Sequence, residues 1–316
     1  MEQIARPVRI EPAFDDRETV RSLFYGCSPY PVLGVYVPDG VDDAAGCKTE
    51  ANSVMPWFRG NWATGGCVLV SGAERILNNP RFLEAAKAAF GAQIVRPRTI
   101  VVNLAAPMSA GAPHVDIPSF RGATREHYPL RFLAAMGESR LFERWRVVEA
   151  GAIAWFYDGP GGEFNYWPDG LHGTMSAETP PFANVAIVAD NDRMYHRIGE
   201  VGAPGTSRPL VGPTAQIRAS DGGDWVIVDN GQSVATYSPG EVRLSVLWKA
   251  EVFADDAAER QATSDRLSLD HVMEILTNDL RCRGIEFVEP GDPLKSEEWI
   301  AALRGAYYTS PSGGRL

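Results

Sequence analysis

The chain has 316 residues, 45% of them hydrophobic and 22% charged, with a formal charge of −10 at pH 7. That composition is ordinary for a globular chain and excludes a disordered or fibrous one. Its acidic balance, with no Lys/Arg-rich run, excludes a nucleic-acid footprint and an anionic membrane surface as the main partner. No stretch approaches the roughly 18 apolar residues of a membrane span, and the N-terminus MEQIARPVRIEPAFDDRE has early charges and no apolar signal-like core, so a cytoplasmic chain is expected. Cys27, Cys47, Cys67 and Cys282 are far apart and form no CxxC pair, which predicts four reduced thiols.

In chain order, Asp15 to Tyr25 predicts a short helix, because acids stand at its start and apolar residues recur at helical intervals. Gly26 to Pro38 is rich in turn formers and reads as a loop. Glu74 to Gly91 has strong helix formers and a closing glycine, with Pro80 dividing it into two helical pieces. After Arg98, TIVVNLAAP is short, β-branched and ended by proline, which predicts a buried strand leading into PHVDIPSFRG. Pro129 to Trp145 has helical spacing. VVEAGAIAWFYDG and EFNYWPDG then read as a hairpin around the Pro-Gly-Gly at residues 160–162. ANVAIVADNDRMYHRIGEVG holds two β-like pieces separated by Asp190, Asn191 and Asp192, with His196 at the start of the second piece or within it. Residues 203–223 are dense in Gly, Pro, Ser and Thr and read as a loop or insertion. DWVIVDNG and GEVRLSVLWKAEVF supply the last clear strands, and SLDHVMEILTNDLRCRG and SEEWIAALRGAYY are helices.

Residues two apart on a strand project to the same face, so His114 and Asp116 can present an imidazole nitrogen and a carboxylate oxygen to one ion. A histidine from a distant strand would complete a set of two histidines and one carboxylate. Such a set suits iron(II), because it leaves coordination positions for substrates. His196 follows a strand-turn-strand pattern and is preferred to His172 in the loop-like PDGLHGT segment, although spacing alone leaves both open. His127 and His271 have no partner at ligand spacing.

The ordered set VNLAAP, HVD, DNDRMYH and GEVRLSV, spanning about residues 98–253, resembles the iron(II)/2-oxoglutarate-dependent dioxygenase superfamily. The resemblance implies a mainly β chain with flanking helices, its core a double-stranded β-helix of the jelly-roll, cupin-like kind. It assigns His114, Asp116 and His196 as the ligands of Fe(II). It also makes Arg243, with Ser245 on the same strand face, the anchor of the far carboxylate of 2-oxoglutarate. A guanidinium suits that role because it can grip a carboxylate through two parallel hydrogen bonds. The distance from His196 to Arg243 exceeds the family's spacing, which an insertion near residues 203–233 would explain. Arg208 lies at the usual spacing and is the rival anchor, though Pro209 follows it in a region of poor strand character. Ser233 stands where a distal histidine would fall if the strand of Arg243 paired otherwise. Asn103, on the strand before the HVD, is a candidate hydrogen-bond partner of 2-oxoglutarate or substrate, with a structural turn contact as the other reading.

The expected activity is oxidation of a small-molecule substrate by dioxygen, with succinate and carbon dioxide as co-products. Because Asp116 is a carboxylate, where halogenating relatives have a small residue, hydroxylation, desaturation or ring closure is the expected outcome. Trp155, Tyr157, Tyr166 and Trp167 are either a substrate wall or core packing. Arg193 and Arg197 bracket His196 and either meet an acidic substrate or pair at the surface. No G-x-S-x-G elbow, Walker sequence or HExxH motif is present, and the G-P-G-G at 159–162 reads as a turn and not as a phosphate cradle.

The expected organisation is an N-terminal helical and loop extension over residues 1–97, the catalytic core over 98–253, and a C-terminal helical extension over 254–316 that braces the barrel or forms a homodimer contact. Two rival readings remain: a cupin-like metal enzyme without 2-oxoglutarate, and a non-catalytic jelly-roll binding protein.

Overall fold

The computed structural model describes residues 4–33, 53–182 and 184–308, so Cys47 and the end of the predicted Gly26–Pro38 loop lie outside the described residues. The elements run β1 (Val8–Ile10), α1 (Arg17–Gly26), β2 (Tyr30–Pro31), β3 (Trp57–Thr64), β4 (Cys67–Val68), α2 (Glu74–Leu77), α3 (Pro80–Phe90) and β5 (Ile94–Ala105). Then follow α4 (Leu130–Ser139), β6 (Glu149–Phe156), β7 (Phe164–Trp167), β8 (Ser176–Glu178), β9 (Ala186–Ala189) and β10 (Tyr195–Ile198). The chain ends in β11 (Gln216–Ala219), β12 (Trp225–Asp229), β13 (Gln232–Tyr237), β14 (Arg243–Phe253), α5 (Asp256–Ser264), α6 (Leu269–Cys282) and α7 (Glu297–Tyr307).

Two compact units divide the chain: Met1–Val115 with Glu149–Val252, and Asp116–Val148 with Phe253–Leu316. This division differs from the three consecutive segments expected from the sequence. Residues 1–97, expected as helix and loop, also supply the strands β1 to β4.

The first unit contains a seven-stranded sheet in the order β1-β9-β6-β14-β5-β3-β4 and a three-stranded sheet in the order β10-β7-β8. The segment from Met108 to His114 extends the smaller sheet beside β10. Met108 bridges Val201, Gly111 N–H donates to Ile198 O at 3.0 Å, and His114 and His196 exchange both backbone bonds. Along the chain, β5, this segment, β6, β7, β8, β9, β10 and β14 are the eight core strands. Counted in that order, they lie as 6-3-8-1 in the large sheet and 5-4-7-2 in the small one. This is the interleaving of a double-stranded β-helix, a jelly-roll architecture.

Alternation along the large sheet gives it two distinct faces. Ile100, Val102, Leu104, Ala152, Ala154, Val188, Leu244, Val246 and Trp248 pack with Phe24, Phe82 and Ala86 of α1 and α3 in one core. Ala105, Trp155, Ile187 and Ala189 face the other way and pack with Met108, Phe164, Met194 and Ile198 from the small-sheet side. The second face lines the barrel interior, and Arg243, Ser245, Leu247 and Lys249 of β14 project to it by the same period of two.

α2 and α3 are divided as expected before Pro80. Asn79 caps α3, its side chain accepting from Arg81 N–H at 3.0 Å. The predicted hairpin is a correction. β6 and β7 do not pair with each other: β6 lies between β14 and β9, and β7 between β10 and β8. Gly161 and Gly162, at φ 69° and 76°, turn the chain from one sheet to the other. A Cβ on Gly161 would collide with Glu200 O, which only glycine avoids. The expected loop at residues 203–223 contains β11, which joins β12, β13 and β2 in a four-stranded sheet of its own.

The second unit is built from α4 to α7 around Phe132, Met136, Trp145, Leu276, Leu280, Trp299 and Leu303. Asp265 ties it together, accepting from Trp145 Nε1 at 2.9 Å and from Arg121 Nη2 at 2.8 Å. The α5 helix, unpredicted from sequence, buries no residue and is held at its start by Asp255.

Candidate metal and carboxylate site

His114 and His196 face each other across one antiparallel bridge, their ring centroids 4.6 Å apart. His114 Nδ1 lies 3.0 Å from Ala112 O, and His196 Nδ1 lies 3.0 Å from Met194 O. A carbonyl can only accept, so Nδ1 carries the proton in both rings and the lone pair resides on Nε2, as in metal-binding histidines. Asp116 follows His114 by two residues and brings a carboxylate oxygen to the same place. One candidate ligand atom from each of the three residues lies within 4.8 Å of the others. His196 is buried, Asp116 half-buried and His114 exposed, so the group has an open side. Two neutral imidazoles and one carboxylate form a donor set that fits Fe(II) with coordination positions to spare.

The other predicted residues fall into distinct places. Arg243 and Ser245 are buried on the interior face of β14, at 5% and 3% exposure, and Ser245 stands opposite Trp155 of β6. The Arg243 Nε–H donates to Gly162 O at 2.7 Å, and its guanidinium lies 5.7 Å from the Phe182 ring centroid and 5.9 Å from that of Trp155. Among the described residues no carboxylate pairs with it and its terminal amines make no hydrogen bond. Burial pulls its pKa well down, to about 9, partly offset by Tyr157 and Glu163. A guanidinium remains a cation at neutral pH, so this shift expresses the cost of holding a charge in the barrel with no carboxylate paired to it. The Trp155 indole N–H is likewise buried without an acceptor.

Asn103 also lies on the interior face and is 8% exposed. Its Oδ1 accepts from Arg59 Nε at 2.9 Å. Arg208 is engaged at the surface by Glu200. Ser233 is exposed on β13, and His172 and His127 are exposed and outside the metal group. His271 is exposed on α6 beside Glu274 and Trp145. Trp155 and Tyr157 are part of the interior aromatic core, Tyr166 packs against it, and Trp167 lies on the opposite face with the Arg197 guanidinium 5.7 Å from its ring centroid. Cys27, Cys67 and Cys282 are free thiols. Among the described residues no helix is long and apolar enough to cross a membrane.

Two residues of this region escaped the sequence reading. Arg59 lies on β3, a strand whose WFRGNWAT sequence was not recognised, although its Trp57-Phe58-Arg59 alternation was the available signal. Lys249, 2% exposed, continues the Arg243-Ser245 face and donates to Asp192 Oδ1 at 2.8 Å.

No protein-family model and no curated protein matches the chain. Solved structures do match. One is an oxidoreductase of the 2OG-Fe(II) oxygenase family from Burkholderia pseudomallei, at 14% identity and TM-score 0.40, covering 78% of this chain and 85% of that one. Another is a Pseudomonas putida prolyl-4-hydroxylase, at 11% identity and TM-score 0.39, covering 78% and 92%. A third is a Trichoplax adhaerens prolyl hydroxylase in complex with a hypoxia inducible factor peptide fragment, at 12% identity and TM-score 0.41, covering 83% and 88%. The chain is similar to 2-oxoglutarate oxygenases.

Proposed function

We propose that the chain is a non-haem iron(II) and 2-oxoglutarate-dependent oxygenase that hydroxylates, desaturates or cyclises a small-molecule substrate. The observation that carries this reading is the combination, on one barrel, of a two-histidine, one-carboxylate group with a buried arginine that has no carboxylate of its own. The triad alone would fit a cupin-like enzyme without 2-oxoglutarate. A buried guanidinium with no carboxylate paired to it calls for an anionic ligand, because ionic groups away from water are tolerated when paired and hydrogen-bonded.

His114, Asp116 and His196 would hold Fe(II), which when bound supplies the activation of dioxygen coupled to loss of carbon dioxide from 2-oxoglutarate. The protein's part is positional. Ala112 O and Met194 O fix the two imidazole tautomers. Arg243 would receive the far carboxylate of 2-oxoglutarate on its terminal amines while Gly162 O holds its Nε, and Ser245 adds a hydroxyl on the same face. Trp155, Phe164 and Phe182 keep this part of the barrel apolar, which strengthens the ion pair and limits access of water. Cytoplasmic location and a homodimer through the C-terminal helices belong to the same proposal.

The test is anaerobic addition of Fe(II) and then 2-oxoglutarate to apo protein, watching for the weak visible metal-to-ligand charge-transfer band. A band in the wild type that vanishes in His196→Ala supports the reading. Confirmed iron binding without a band moves the assignment to a cupin-like enzyme. Failure to bind iron points to the non-catalytic jelly-roll alternative.

A further inference from the structure

Trp155 stands on the interior face of β6 and is 1% exposed. Its ring is stacked on Phe182, with centroids 4.9 Å apart and planes inclined by 25°, and lies 5.3 Å from the Phe164 ring. These contacts fix the plane of the indole and with it the direction of its N–H, which is buried and meets no acceptor. An indole N–H can only donate, and buried tryptophans usually find a partner for it. Trp225 and Trp299 also bury an N–H without an acceptor, in the other two cores, so that feature alone assigns nothing.

What sets Trp155 apart is its surroundings. It is directly opposite Ser245 of β14, and directly paired residues project to the same face. The Arg243 guanidinium, held through Nε by Gly162 O, lies 5.9 Å from its ring centroid. Towards the metal group, Phe164 connects it to His196, whose ring centroid is 5.6 Å from that of Phe164. A guanidinium, a hydroxyl and an indole N–H thus occupy neighbouring positions of β6 and β14. A carboxylate offers about four acceptor positions, so a neutral donor beside the guanidinium fills one of them without adding charge.

We propose that the Trp155 indole N–H donates to the far carboxylate of 2-oxoglutarate, which makes Trp155 a determinant of which keto acid the site accepts. This rests on the oxygenase reading above and deepens it. A keto acid without that carboxylate leaves both the guanidinium and the indole N–H buried without an acceptor, and a site built to hydrogen-bond a group discriminates against analogues that lack it.

The experiment uses full-length protein, with 2-oxoglutarate compared against 2-oxopentanoate, which has a methyl group in place of the far carboxylate. Anaerobic titrations of the Fe(II) protein read the charge-transfer band in wild type and Trp155→Phe. Half-saturation by 2-oxoglutarate should rise by roughly tenfold or more in the variant, the loss expected for a hydrogen bond to a charged group, while that for 2-oxopentanoate stays within about twofold. In Zn(II)-loaded wild type labelled with 15N-tryptophan, one of the eight indole N–H signals, the one missing from Trp155→Phe, should move downfield with 2-oxoglutarate and stay in place with 2-oxopentanoate. The proposal is overturned if Trp155→Phe binds 2-oxoglutarate as tightly as wild type, if both keto acids are weakened equally, or if no indole signal moves. The last readout is made on wild type and decides the matter even if the variant fails to fold. A band in wild type with any of these results counts against Trp155 alone, whereas no band from iron-loaded wild type counts against the oxygenase reading and removes this proposal with it.

Discussion

Replacing Lys249 by methionine removes the cation from a buried cluster and tests whether a remote ion pair holds the distal histidine in place. Lys249 Nζ lies 2.8 Å from Asp192 Oδ1 and 3.6 Å from Glu149 Oε2, and all three side chains are at most 9% exposed. Methionine fills nearly the same volume, so the loss is electrostatic, and stranding a buried partner costs about 3–5 kcal/mol. For a unit of this size each kcal/mol corresponds to roughly 2–4 °C, so the melting temperature should fall by roughly 6–20 °C. Asp192 belongs to the turn in which Met194 N–H donates to Asp190 O at 2.7 Å, and Met194 O is the acceptor that orients the His196 ring. Loosening that turn should weaken Co(II) binding by about tenfold or more, the usual effect of losing a partner behind a metal ligand. Circular-dichroism melts and a Co(II) titration measure the two quantities separately. Adding Asp192→Asn to the same protein should recover part of the stability, because it removes one of the two carboxylates that lose the lysine cation. A melting temperature changed by less than about 2 °C, below the smallest shift expected for 1 kcal/mol, together with unchanged Co(II) affinity would refute the reasoning.

Arg243→Met should raise the 2-oxoglutarate concentration needed for half-maximal charge-transfer absorbance by about 30-fold or more, the loss expected when one partner of a desolvated charge pair is truncated. The same variant should melt no lower than wild type without cosubstrate, since it relieves a buried charge. Arg208→Ala should leave the cosubstrate requirement within about twofold, because the Arg208–Glu200 pair is exposed and such pairs contribute little; the same titration decides between the two arginines. His114→Ala and Asp116→Ala should each abolish stoichiometric Fe(II) binding with a native far-ultraviolet spectrum, checked by metal analysis after desalting. A pH series should show cosubstrate affinity falling as pH rises through about 9, where Arg243 loses its proton. The sign for stability is opposite: above about 9 the unfolded chain keeps a proton that the folded chain has lost, so this group favours folding as pH rises further. Equilibrium denaturation in that range reads the second effect.

Local chemistry made several parts of this molecule readable from sequence. Pro80 divides a helical pattern because proline cannot supply the bond the helix needs, and the same-face spacing of His114 and Asp116 follows from the period of a strand. What was not readable depends on pairing between distant segments. The glycines at 161 and 162 signal a turn, but only the sheet determines whether the flanking strands pair with each other or with strands elsewhere. β3 and β11 are short or irregular in pattern and acquire their edges from β5 and from the two-residue β2. Arg59 and Lys249 carry no motif. Their hydrogen-bond partners are Asn103, which is 44 residues away in sequence, and Asp192, 57 residues away.

The mutual backbone pairing of His114 and His196 also bears on how the protein would acquire the proposed metal. Both histidines are fixed by one another's main chain, so neither is in its place until the segment after β5 has met β10, a long-range closure across the intervening strands. The unfolded or half-folded chain therefore presents no preformed chelate. Uptake of the proposed iron would then be gated by completion of the barrel, so that the free energy of loading would add to the stability of the closed state and reactive iron would not be held by a chain that lacks walls around it.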